Sequence, residues 1–181
     1  MNLLEASIEA QKDYKHKIVL ARVNGKLTEL NNDICESQKS DIEWVTTAET
    51  SGMQTYRRSA TFLMLKAVRD VYGRSVNVCV EYSLSKGYYC SVAGDVVVDE
   101  TFIGRITDRM KELVDECVPI TKFTYSLDEV IRIFHDEEMY DKEKLFRYRR
   151  ASKVNLYEID GFRDYFYGYM APSTGMLKAF E

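Results

Sequence analysis

Two histidines and four cysteines are the residues of this chain best suited to holding a metal or moving a proton, and their spacing argues against both. His16 and His135 lie in unrelated segments, with no His-Glu-x-x-His, Cys-x-x-Cys or mixed Cys/His ligand pattern. His16 sits before a strand and His135 late in a helix among acidic residues, where surface placement is ordinary. No glycine pair gives Gly-x4-Gly-Lys-Ser/Thr or Gly-x-Gly-x-x-Gly, so no phosphate-cradling loop is expected and ATP hydrolysis by this chain alone is excluded. A Gly-x-Ser-x-Gly elbow is absent too, and no serine has a partnered histidine. Cys35, Cys79, Cys90 and Cys117 are expected as reduced thiols packed like small hydrophobes. What remains is binding chemistry. FRYRRASK (146–153) interleaves rings and cations that could grip phosphate or an RNA backbone, or else form a solvated helix end complementing the macrodipole. Tyr88-Tyr89 and the run Tyr165 to Tyr169 supply rings that could stack a base or wall a cleft.

The elements that must position these residues are organised around TYRRSATFLMLKAVRDVY (55–72). Ala60, Leu63, Met64, Ala67 and Val71 share one helical face, the expected core face. Arg58, Phe62, Leu65 and Arg69 lie opposite, with Ser59, Lys66 and Asp70 as a polar edge between. A Phe and a Leu between arginines suit neither bare solvent nor a surface stripe, so this second face is expected to be covered and to line a cleft. Gly73 caps the helix.

Before it, Leu3, Leu4 and Ile8 mark a helix starting with no room for an N-cap element. IVLARV, Asn24-Gly25 and KLTEL predict a tight hairpin, and IEWVTT a further strand. After it, SVNVCVEYS alternates with period two, and Gly87 to Ala93 and Val96 to Val98 extend it as a meander. Asp99 caps a long helix ending near Pro119, ITKFTYS is a strand, and Ser126 with Glu129 forms a capping box for LDEVIRIFHDEE. Lys142 to Tyr148 is a short helix, SKVNLYEI a strand, and FRDYFYGYM leads to the Pro172–Gly175 turn. Helices with mostly antiparallel strands indicate an α+β fold. With 181 residues, 45% of them hydrophobic, the chain can bury about 70% of its unfolded surface. The net charge of −4 gives no general affinity for nucleic acid. No apolar run approaches the ~20 residues of a membrane span, and the first residues lack a signal-peptide pattern, so a cytoplasmic protein without a membrane partner is expected.

The succession RVNGKL, IEWVTT, TYRRSATFLMLKAV, the SKGYYCSV hairpin, DRMKELV, SKVNLYE and FRDYFYGYMAPSTG resembles the N-terminal half of threonyl-tRNA synthetases. There a ubiquitin-like TGS domain precedes an editing domain shared with alanyl-tRNA synthetases. The resemblance implies a partial TGS-like domain over 1–48 and an editing-like domain over 49–181, with an antiparallel sheet and long helices. In that family a His-x-x-x-His pair and a Cys-x-x-x-His pair form the water-activating site. By alignment they fall on Arg58, Phe62, Phe166 and Met170, none of which can act as a general base at neutral pH. No catalytic or metal-binding residue is therefore assigned. Tyr89, Lys153 and Asp164 align with the family's polar Tyr, Lys and Asp.

YRRS on the helix and GYM-PSTG near the end are similar to the N-terminal region of bacterial uridine kinase-like proteins, where such domains precede a P-loop kinase. This resemblance implies that the chain stops before a C-terminal kinase domain, its partner in cis, to which ATP and Mg would belong; the chain itself has no cofactor. Its start is either truncated or a reduced TGS domain. The expected function is a non-catalytic accessory region, binding a nucleotide, nucleoside or RNA end, tRNA included. Arg57, Arg58 and Lys153 would hold phosphate, Tyr89 would stack or hydrogen-bond, and Asp164 would accept from a ribose hydroxyl or amine. The alternatives are a trans-acting aminoacyl-tRNA deacylase in which Lys153 and Asp164 position water, and a structural interaction module.

Overall fold

A computed structural model describes residues 2–35, 41–85 and 87–180. Its elements in order are α1 (Leu3–Ala10), β1 (Ile18–Val23), β2 (Lys26–Glu29), β3 (Ile42–Thr46), α2 (Thr50–Tyr72), β4 (Asn77–Leu84), β5 (Gly87–Ala93), α3 (Glu100–Glu116), β6 (Thr121–Ser126), α4 (Leu127–Asp136), α5 (Tyr140–Arg147), β7 (Lys153–Ile159) and β8 (Phe162–Asp164). The fold is α+β, and the paired strands are antiparallel throughout. They form three sheets: β2-β1-β3, β4-β5 and β6-β7-β8.

Local chemistry accounts for most boundaries. Asn24 and Gly25 both take positive φ, 49° and 74°, which the two-residue hairpin turn needs, and Val23 pairs with Lys26 across it. The Asp99 carboxylate accepts from the Phe102 amide at 2.8 Å and starts α3. The Ser126/Glu129 capping box is complete. Gly73, at φ 65°, returns its amide to Arg69 O and ends α2.

Four expectations are corrected. Asn2 does cap α1, its side-chain oxygen accepting from the Leu4 and Glu5 amides; one residue is enough, because the capping group is a side chain and not an element. Val96 to Val98 form no strand: no strand among the described residues pairs with them, and Val97 and Val98 face solvent. Cys35, Cys79 and Cys117 are exposed and Cys90 is half-buried, so they do not pack as core thiols. The β4–β5 pair covers only one of its faces, and Cys79 stands opposite Ser91 on the other. Lys86, in the expected turn of that hairpin, lies outside the described residues.

The fourth correction concerns α2. Its buried residues are Gly52, Thr55, Ser59, Phe62, Leu63, Lys66, Ala67 and Val68. Ala60, Met64 and Val71, placed on the core face by periodicity, are only half-buried. Leu63 and Ala67 of the expected core face are fully buried, but the buried arc is turned to take in Ser59, Phe62 and Lys66 from the supposed polar edge and second face. Polar groups can sit there because each finds a partner. Ser59 Oγ donates to Thr55 O at 2.8 Å and accepts from the Ala171 amide at 2.8 Å. Lys66 Nζ reaches Asp70 at 2.8 Å and Asp160 O at 3.2 Å.

The main core joins α2, α3, α4, α5 and the β6-β7-β8 sheet around Phe62, Leu63, Leu113, Phe134, Phe146 and Leu156. Leu3, Ile18, Ala21, Val23, Leu30 and Ile34 make a second cluster. A third, Val19, Leu20 and Val45, packs against Tyr56 and Tyr169 and so ties the first sheet to α2 and to the segment after β8. Among the described residues no helix is long and apolar enough to cross a membrane.

Candidate functional site

The four positions singled out by the editing-domain alignment come together in space. One turn apart on α2, Arg58 and Phe62 face the segment after β8, which carries Phe166 and Met170. The Phe62 and Phe166 rings are 5.1 Å apart and tilted by 55°, and Phe62 also meets Phe162 at 5.8 Å. Met170 is buried, with its sulfur 3.4 Å from Ser59 Oγ. Arg58 Nη1 donates to Tyr169 O at 2.7 Å. Its guanidinium lies against Gly168, where φ is +119° and a Cβ would stand 2.7 Å from Arg58 Cζ. The place is filled and holds no water-activating group: two rings and a thioether pack where acid–base residues would be needed.

A buried polar cluster borders it. The Glu29 carboxylate accepts from Tyr157 Oη at 2.5 Å, from the Met170 amide at 2.9 Å, and from Lys122 Nζ. Burial first, then the Glu29 carboxylate, push the Tyr157 hydroxyl's pKa up. With Ile120, Thr121 and Asn31 these side chains line a small polar cavity of about 130 Å³.

The expected ligand-binding residues do not converge. Asp164 is buried on β8, and both its oxygens accept from Lys142 Nζ, at 2.7 and 2.6 Å. Burial raises its carboxyl's pKa and the Lys142 ammonium opposes that rise; a buried charge paired in this way serves the fold. Arg58 is committed to Tyr169 O. Tyr89 is exposed and stacks on Tyr82 with centroids 5.0 Å apart, while its neighbour Tyr88 turns into a groove beside α2. Arg57 lines that same groove. Lys153 stands exposed at the start of β7, opposite Ser126.

The basic segment is partly consumed by local pairing. Arg147 binds Glu143, and Arg149 lies over the Phe146 and Tyr165 rings at 5.2 and 4.7 Å. His135 is exposed and reaches Glu143 at 3.0 Å. Among the described residues no three His, Cys, Asp or Glu side chains cluster so as to hold a metal.

A comparison with known proteins bears on this filled site. The chain is 34% identical to a threonine–tRNA ligase of Syntrophotalea carbinolica over 164 residues, 90% of this chain and 25% of the ligase. This chain is similar to one quarter of a threonine–tRNA ligase. Threonine–tRNA ligase 2 of Bacillus subtilis gives 27% over 182 residues, 100% of this chain and 28% of the ligase, and threonine–tRNA ligase 1 of the same organism 28% over 168 residues. The chain thus spans about a quarter of the length of the curated relatives it matches. No family model matches it.

Beside the threonine–tRNA ligase likeness stand residues that sequence reasoning missed: Ser59, Lys142, Glu29 and Tyr157. Ser59 carried a faint signal, a hydroxyl among the apolar residues of α2, while Lys142 sits among charged neighbours and carried none. Glu29 and Tyr157 carried none, since 128 residues separate them in the chain.

Proposed function

We propose that this chain is a non-catalytic accessory region of the threonyl-tRNA synthetase editing type, in which the hydrolytic site has become a packed core. The observation that carries this reading is the Phe62–Phe166–Met170 contact closed by Ser59 and Arg58. Neither ring nor thioether can take a proton from water, and the one ionisable group, Arg58, stays charged and donates to a backbone carbonyl.

In this reading the accessory role is binding, to a nucleotide, nucleoside or RNA end, by the polar groups that packing leaves accessible: Arg57, Tyr89 and Lys153. Arg58 and Asp164 act instead as internal struts. The finer parts of the proposal are a cytoplasmic setting and service to a uridine kinase-like protein through a P-loop kinase domain in cis. The parent is checked by whether the reading frame continues past Glu181 into a strand, Gly-x4-Gly-Lys-Ser/Thr and a helix.

The deciding experiment presents the protein with mischarged tRNA and monitors release of amino acid, alongside calorimetric titration with nucleotides, nucleosides and deacylated tRNA. The expected result is release no faster than background, together with saturable binding of at least one of these ligands. Release above background would overturn the loss of catalysis. Absence of all binding would leave only a structural module.

A further inference from the structure

Two hollows on one side of α2 adjoin, sharing Met53, Tyr56 and Ala179 in their walls. The larger, about 630 Å³, lies between α2, α3 and the β4–β5 hairpin. Its walls are mainly aliphatic and thioether, with Met64, Val78, Val92, Phe102, Ile106 and Met110 prominent among them. The Tyr56, Tyr88, Thr61 and Thr107 hydroxyls and the Cys90 thiol interrupt them, with Arg57 at the edge. The smaller hollow, about 390 Å³, is flanked by Lys17 and Lys178.

Charge is segregated here. The chain has 29 acidic residues against 25 basic ones, yet among the described residues lining the two hollows there are three cations and no Asp or Glu. Arg57, Lys17 and Lys178 are absent from the ion pairs of the described residues. An apolar chamber of ligand size opening toward unneutralised cations specifies a ligand with an apolar body and a negative head. A nucleobase fits the chamber poorly. Its ring edges need several donors and acceptors; Tyr56 Oη is already bonded to the Ala179 backbone, and three further hydroxyls and a thiol in an otherwise apolar lining would leave some of those edges desolvated and unpaired.

We propose that these joined hollows bind a small amphipathic anion, its apolar chain seated between α2, α3 and the β4–β5 hairpin and its carboxylate or phosphate head held by Arg57 with Lys17 and Lys178. This site lies on a different face of α2 from the filled Phe62–Phe166–Met170 site; it shares Arg57 with the binding role proposed above but does not depend on the loss of hydrolysis there.

The test is calorimetric titration of the whole chain with octanoate, decanoate and dodecanoate below their micelle concentrations. Decyl phosphate, decylamine and AMP are titrated in parallel. Affinity is expected to rise about fourfold for each added CH₂ until the chamber is full, with decylamine at least about tenfold weaker than decanoate. Comparing decanoate with decyl phosphate identifies the preferred head. Met64→Trp, which fills the chamber from α2, and Val78→Phe, which fills it from the hairpin, should each abolish binding with the circular dichroism spectrum unchanged. Arg57→Gln should reduce the preference over decylamine, and Arg57→Gln combined with Lys17→Gln and Lys178→Gln should erase it, while both leave the dependence on chain length. Equal affinity for decanoate and decylamine, or no saturable binding of either anion, would overturn the proposal. AMP binding without decanoate binding would overturn it too, while sparing the reading of the editing-type region.

Discussion

Arg58 and Gly168 depend on each other. The positive φ of Gly168 lets the backbone pass close enough to the guanidinium for Arg58 to reach Tyr169 O. Gly168→Ala is therefore expected to destabilise by about 1–3 kcal/mol, more than Gly161→Ala, where φ is also positive but nothing lies within 4 Å of the added carbon. In an Arg58→Ala background the difference between the two substitutions should shrink, and urea denaturation of the four variants measures that coupling. Glu143 carries a pH prediction. Arg147 first, then His135, hold its carboxyl below the ordinary value. A depressed folded pKa contributes stability that is complete above the unfolded carboxylate value of about 4.3 and is lost as pH falls through the folded value. The urea midpoint of the wild type should therefore drop on acidification through that window, and Glu143→Gln should flatten that limb of the curve.

At the scale of elements, α2 is the decisive one, and its orientation can be tested by substitution. Phe62 is wholly buried among rings, so Phe62→Ala should cost about 3–5 kcal/mol. Ala60→Gln, on the groove face that periodicity alone would assign to the core, should change stability by no more than about 0.5 kcal/mol. Thermal and urea unfolding of the pair give the comparison, and similar losses for both would mean that α2 is turned toward the core through its Ala60 face. Periodicity places Leu63 and Ala67 correctly, and the reason it misses the rest of the buried arc lies in Ser59 and Lys66. Any hydropathy pattern counts them as polar, yet both are buried by partners brought from residues 171 and 160. The β4–β5 hairpin shows the complementary effect. Its alternation of Val76, Val78 and Val80 with polar residues was legible, because a single covered face imposes period two. Where the meander stops was not, because that depends on whether a third strand arrives to pair.

Across the whole molecule, the first 48 residues are bound to the rest by Val19, Leu20 and Val45 against Tyr56 and Tyr169, and by Glu29 reaching Tyr157, Lys122 and Met170. The chain has one tryptophan, Trp44 on β3, so its fluorescence reports the first sheet while far-ultraviolet circular dichroism is dominated by the helices. The two signals should unfold together in the wild type. In Glu29→Ala, which leaves Tyr157 buried without its acceptor carboxylate, they should separate, with the Trp44 transition at lower urea. Separate transitions already in the wild type would show that the two parts fold independently.

The amino-acid sequence by itself determined the local architecture. Asn24-Gly25 fixed a hairpin through positive φ, Asp99 and the Ser126/Glu129 box fixed helix starts, and Gly73 fixed a helix end, all through groups within four residues of one another. It also determined that Arg58, Phe62, Phe166 and Met170 lack proton-transfer chemistry, a property of residue type alone. Tertiary structure decided how these side chains are used. Phe62, Phe166 and Met170 fill a core, Asp164 is locked to Lys142, and Arg57 stands beside an apolar groove without an ion pair among the described residues. Those outcomes depend on which distant segments arrive to desolvate or neutralise a side chain. The partners of Asp164 and Glu29 come from 22 and 141 residues away, far beyond the reach of any local pattern.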